Sequence, residues 1–249
     1  MVDELFFLTI NMRRTASECA LRESPLHTPS PSFLSRKPFR LNTSRARAYS
    51  ARMTRQTNLI VIHCSASPNG VSLFTGKLGE ARFTTPAQEI DKWHAARGFK
   101  RNPNWSDVQE PTLKHIGYHF VVYTAGAVLA CRHLGEVGAH AQGYNSNSIG
   151  ICMIGTDAYS PEQWACLKSL IEGLKKDYPH ARICGHRDLS PDADNDGVVE
   201  PHEWLKTCPG FAVAKWLAGG LQPLAGHIYP LPPGEGGRRP GEGTNGRET

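Results

Sequence analysis

Between Ile183 and Phe211 the sequence ICGHRDLSPDADNDGVVEPHEWLKTCPGF interleaves two sets of metal-binding side chains. The outer set is His186 and Cys208, nitrogen and sulfur donors suited to zinc. A further histidine, His63, closes the apolar run NLIVIHC. Two histidines and a cysteine on loops at strand ends give three ligands and a fourth position open to water, the arrangement of a catalytic zinc. The inner set is hard oxygen: Asp192, Asp194, Asp196 and Glu203, with Gly197 at the sharp turn and Val198 offering its carbonyl. These fill every fixed position of the calcium-loop pattern D-x-[DN]-x-[DN]-G-x5-E. The outer set thus offers donors for zinc, and the inner set donors for calcium, which would fold the acidic loop.

Each set has a plainer reading. The chain holds 11 histidines, and an arbitrary one is more often a solvated or core residue than a ligand. A structural zinc site would want a fourth protein ligand, with Cys184 and His202 the nearby choices. An Asp- and Gly-rich turn can be a solvated surface feature. RDLSP, ahead of Asp192, is a poor helix, so only the exiting half of a helix–loop–helix calcium hand is expected. That exiting helix, opened by Pro201 and ended by Pro209, would carry Lys206 and lead to Cys208.

The elements that must position these residues alternate along the chain. NLIVIHC (58–64) and SIGICMIG (148–155) are short apolar runs rich in β-branched residues and read as buried strands. TTPAQEIDKWHAARG reads as a helix capped by Thr85, with Pro86 first inside and Gly98 as its stop. GYHFVVYTAGAVLACR reads as two strands about a turn at Ala125–Gly126. Ser160 and Gln163 form a capping box for a helix with apolar residues at 164, 167, 170, 171 and 174. ARICG is a short strand and FAVAKWLAGG a last helix. The expected fold is α/β, a single domain with a central mixed sheet flanked by helices.

Residues 1–52 are rich in Ser, Arg and Pro without a sustained period, and are expected to be a disordered leader or a mis-assigned start, with Met53 as the true first residue. Residues 53–221 are expected to form one folded unit, with the calcium-type loop as an insert at 192–203. The Pro/Gly-rich stretch 222–249 is expected to be a disordered tail. The net charge of +5 resides in the leader, which has nine Lys/Arg against four acids; residues 53–249 carry 19 of each sign. No basic stripe suggests nucleic acid, and no apolar run reaches the roughly 20 residues of a membrane span. Seven cysteines, several in apolar strands, fit a reduced environment. A monomer in a reduced, cytoplasmic folding environment is expected.

VIHCSAS, WHAARGF, GYHFVVYTAGAV, VGAHAQGYNSNSIGICMIG, YSPEQWACLKSLI, GHRDLSP and KTCPGF occur in an order that resembles the zinc-dependent N-acetylmuramoyl-L-alanine amidases of phage-endolysin type. That family also includes the peptidoglycan recognition proteins. The resemblance spans His63 to Trp216. It implies an α/β fold with a groove for the sugar–peptide junction of peptidoglycan. Carried over, the zinc ligands fall on His63, His186 and Cys208, the assisting tyrosine on Tyr118 and the assisting lysine on Lys206. His140 and Asn145 fall on groove-lining positions, with a turn-stabilising role as the alternative. His119, next to Tyr118, is expected on the opposite face and structural. The implied activity is hydrolysis of the bond between N-acetylmuramic acid and L-alanine. The alternative is a recognition module that binds wall fragments without cutting; such members lack the cysteine, which this chain keeps. The loops 65–84 and 99–115, with Trp105, are expected to shape substrate choice.

Overall fold

The computed structural model describes residues 55–230. The proposed start at Met53, the leader and the end of the tail lie outside them.

Five strands form one mixed sheet in the order β3-β2-β4-β1-β5. They are β1 (Leu59–Cys64), β2 (Phe120–Val122), β3 (Val128–Ala130), β4 (Ser148–Met153) and β5 (Arg182–Gly185). β1 is parallel to both β4 and β5, and β2 is parallel to β4; only the β2–β3 hairpin is antiparallel. Gly126 makes its turn with φ +81. The central strands are apolar because helices or loops cover both faces, which leaves no solvated side on which polar residues could alternate.

On one face lie α3 (Pro161–Asp177) and α4 (Val213–Ala218). Trp164, Leu167, Leu170, Ile171 and Leu174 of α3 pack on Ile60, Ile62, Ile149 and Ile151, each such side chain contributing about 1.5–3 kcal/mol by its burial. The Ser160–Gln163 capping box begins α3 as expected. On the other face lies α1 (Pro86–Ala96), opened by a Thr85–Gln88 capping box, with Ala87 and Ile90 packed on Val121 and Cys152. Gly98 follows with φ +77, the left-handed conformation that stops a helix. Within the 99–115 loop a four-residue helix, α2 (Pro103–Ser106), is capped by Asn102.

Two expectations are corrected here. The ordered chain does not stop at Leu221: Tyr159 N–H donates to His227 O at 2.9 Å, Tyr229 N–H donates to Tyr159 O at 2.8 Å, and the Trp164 indole donates to His227 O at 3.1 Å. The helix expected from Pro201 is one 3-10 turn, Pro201–Glu203, and Trp204 already has extended backbone. The Glu203 carboxylate accepts from the N–H groups of Glu200 and Ala193, closing the turn on the acidic loop rather than propagating a helix. Lys206 therefore sits in an extended loop, outside any helix.

Candidate metal centre

His63 is the penultimate residue of β1, and His186 follows β5 directly. Both stand at the carboxyl edge of adjacent parallel strands, the usual location of ligand sites in such sheets. Cys208 arrives from the loop that leaves the acidic segment. Its Sγ accepts the backbone N–H of Cys64 at 3.0 Å, and its carbonyl accepts from Arg187 N–H at 2.9 Å. One ligand atom from each of His63, His186 and Cys208 lies within 4.8 Å of the other two. A tetrahedral zinc needs these atoms roughly 3.3–3.6 Å apart, so a small inward closure suffices. No carboxylate joins this group among the described residues. The donor set, two imidazoles and one sulfur, fits zinc rather than a hard cation.

The electrostatics suit an ion. Burial, then His140, His186 and Lys206, hold His63 well below the usual histidine range. Burial and the nearby Lys206 ammonium bring His186 down to about 4. Both rings are therefore neutral at pH 7, the form in which a histidine can bind a metal. Hydrogen bonding with Cys64 and burial push the Cys208 thiol up; a divalent cation would displace that proton.

Around the trio lies a tight set of rings. His63 is 4.5 Å from His186, 5.0 Å from His140 and 5.2 Å from Tyr118, between ring centres. Tyr118 is thus brought to the site. Burial raises its hydroxyl well above the tyrosine range, keeping it a neutral phenol, and that hydroxyl hydrogen-bonds the Cys152 thiol. His119 is corrected: it is not on the opposite face, since its ring lies 5.8 Å from His140. Strand β2 begins only at Phe120, so the pleat does not yet separate Tyr118 from His119. Its structural role stands. His119 Nδ1 accepts Gly150 N–H at 3.0 Å and Nε2 donates to Glu136 O at 3.0 Å.

His140 is 9% exposed, and its Nδ1 faces His63 Nε2 at 3.0 Å, beneath the trio instead of along an open groove. Asn145 Oδ1 accepts the N–H groups of His140 and Ala141 at 2.8 and 2.9 Å, the turn-stabilising alternative. Sequence reading did not single out His94. Its Nδ1 accepts Gly117 N–H at 2.8 Å, and its ring lies 5.2 Å from Tyr118. The signal was its place four residues after Ile90 on the buried side of α1.

The inner acidic set is only partly assembled. Carboxylate oxygens of Asp192, Asp194 and Asp196 lie within 4.8 Å of one another, whereas Glu203 groups with Asp194, Glu200 and His202. Asp192 Oδ2 accepts Gly197 N–H at 2.8 Å and Asp196 Oδ1 accepts Val198 N–H at 2.8 Å. Val198 itself is exposed.

Residues 53–211 match the family model for N-acetylmuramoyl-L-alanine amidase. The chain belongs to that family. Relatives of the amidase include an uncharacterised protein of Haemophilus influenzae, 45% identical over 112 residues, which cover 42% of this chain and 97% of that one. The endolysin of Enterobacteria phage K11 is 30% identical over 173 residues, 66% of this chain and 88% of that one. Among solved structures, the endolysin amidase LysCS of Clostridium intestinale aligns at 23% identity with a TM-score of 0.45, covering 67% of this chain and 84% of that one. No helix of the described residues is long and apolar enough to cross a membrane.

Proposed function

We propose that this amidase hydrolyses the bond between N-acetylmuramic acid and L-alanine in peptidoglycan, using zinc held by His63, His186 and Cys208. The observation that carries the reading is the convergence of those three ligand atoms within 4.8 Å at the carboxyl edge of the sheet. Zinc there would supply a Lewis acid and a water of lowered pKa. The chain's own groups complete the chemistry. Lys206, close enough to depress His186, offers an ammonium to the oxygen on which negative charge develops. Tyr118, a neutral phenol beside His63, turns its hydroxyl from Cys152 to donate to the same oxygen or to orient the attacking water. Cys208 argues for hydrolysis over mere recognition, because a wall-binding module has no need of a third ligand. Kinship with a phage endolysin supports a lysis enzyme held in the cytoplasm until release.

The same proposal assigns calcium to the loop Asp192–Glu203. Three converging carboxylates support it, as does Asp192 Oδ1, which is buried without a hydrogen-bond partner. Glu203 would have to release Ala193 and Glu200 to become a ligand. Calorimetric titration of calcium into the full chain and into Asp192→Asn tests this; equal heats in the two would end the calcium assignment.

The clearing of purified peptidoglycan sacculi tests the main reading. Chelated protein should leave the suspension turbid, zinc should restore clearing, and Cys208→Ser should not respond to zinc. Clearing by thoroughly chelated protein would refute it.

A further inference from the structure

Beneath the metal trio runs a chain of hydrogen bonds that leaves the protein no choice about where the His63 proton sits. Its far end is a carbonyl: Ser148 Oγ lies 2.6 Å from Tyr144 O, and only the hydroxyl can supply the proton between them. With its one proton spent there, Ser148 Oγ can only accept from His140 Nε2, which faces it at 3.4 Å. The proton of His140 is thus on Nε2 and its Nδ1 is a lone pair. His63 Nε2, 3.0 Å from that lone pair, must be the donor. What remains on His63 is Nδ1, bare and free to face His186 and Cys208.

The reverse order of protons fails on distance. It would turn the Ser148 hydroxyl to a partner 3.4 Å away and leave two oxygens 2.6 Å apart with no proton between them. The ring that relays this order is closely packed. A Cβ on Gly150 would come 2.5 Å from His140 Cδ2, and one on Gly138 would meet the same atom at 2.5 Å. Two glycines thus form the walls of the slot, and Asn145 fixes the backbone at its base.

We propose that His140 is a positioning residue: through the Tyr144–Ser148–His140 chain it fixes the tautomer of His63 so that Nδ1 is the metal ligand. The inference rests on the zinc reading above and deepens it. Partners of this kind typically contribute 10–100-fold to metal affinity.

Two variants separate positioning from mere packing. Asn places a carbonyl oxygen near the former His140 Nδ1, whereas Leu fills similar space with no acceptor. In the full chain, His140→Leu should bind zinc about 10–100-fold more weakly in competition with a chelator, and His140→Asn should return toward the parent. In the metal-free parent, long-range 1H–15N correlation should show the His63 proton on Nε2. His140→Leu binding zinc as tightly as the parent, or a His63 proton found on Nδ1, would overturn the proposal. A parent that takes up no zinc would overturn the zinc reading instead, while the tautomer measurement still decides the positioning role.

Discussion

Glu136 lies in the interior between two guanidinium groups, and replacing it with Gln should be felt in both the fold and the site. Its carboxylate meets Arg101 Nη2 at 2.8 Å and Arg132 Nη1 at 3.1 Å, with all three side chains at most 3% exposed. Burial pulls the Arg132 guanidinium down to about 10 against the attraction of Glu136. Glu136→Gln keeps the shape but leaves two buried cations facing each other. Breaking a buried pair in this way costs about 3–5 kcal/mol. In a domain of this size that corresponds to a fall in Tm of roughly 6–20 °C. The damage should reach the site, because Arg132 also donates to the carbonyls of Ile116 and Val137 at 2.6 Å each. Those residues flank the segments that carry Tyr118 and His140. The assay is a thermal melt of chelated protein, with Asp107→Asn as control. That variant removes a pair with Lys114 whose side chains are more than half exposed, and should cost at most about 1 kcal/mol. Equal melts for Glu136→Gln and the control would refute the reasoning.

Three further predictions follow from the same geometry. Cys208→Ser should lose zinc affinity by more than the roughly 10–100-fold expected of a neighbouring partner, with the chelated melt unchanged; chelator competition reads it. Lys206→Met should lower kcat by about 10²–10³-fold, as loss of one oxyanion donor does, with zinc content unaltered. Chelated protein should lose stability in acid, because burial holds His94 down to about 4 and His140 to about 3. Above pH 6.5 both histidines are neutral, folded or unfolded, and contribute nothing. Below 6.5 the unfolded chain takes up protons that the folded chain refuses until about pH 4, costing up to about 1.4 kcal/mol per histidine per pH unit. A urea midpoint identical at pH 7 and pH 5 would contradict this.

Local signals carried much of the fold. Thr85–Gln88 and Ser160–Gln163 announce their helices because a capping box is written within four residues. The trio His63, His186 and Cys208 was picked out by its place in the amidase-like motifs VIHCSAS, GHRDLSP and KTCPGF, because spacing alone is a weak signal among 11 histidines. What sequence hid depends on distant partners. The helix expected at Pro201 failed because Glu203 reaches back to Ala193, ten residues earlier. His140 looked like a groove residue until His63, 77 residues away, was seen to face it. The Tyr118–His119 pair misled because the alternation of a strand was applied two residues before the strand begins.

The most direct test of the account is mass spectrometry of peptidoglycan digested by chelated protein with and without added zinc. The account predicts that zinc alone restores cleavage and that every new peptide begins with a free L-alanine amine, its partner glycan keeping an intact muramoyl carboxylate. Cleavage between sugars, cleavage within the peptide, or the same products without zinc would contradict it.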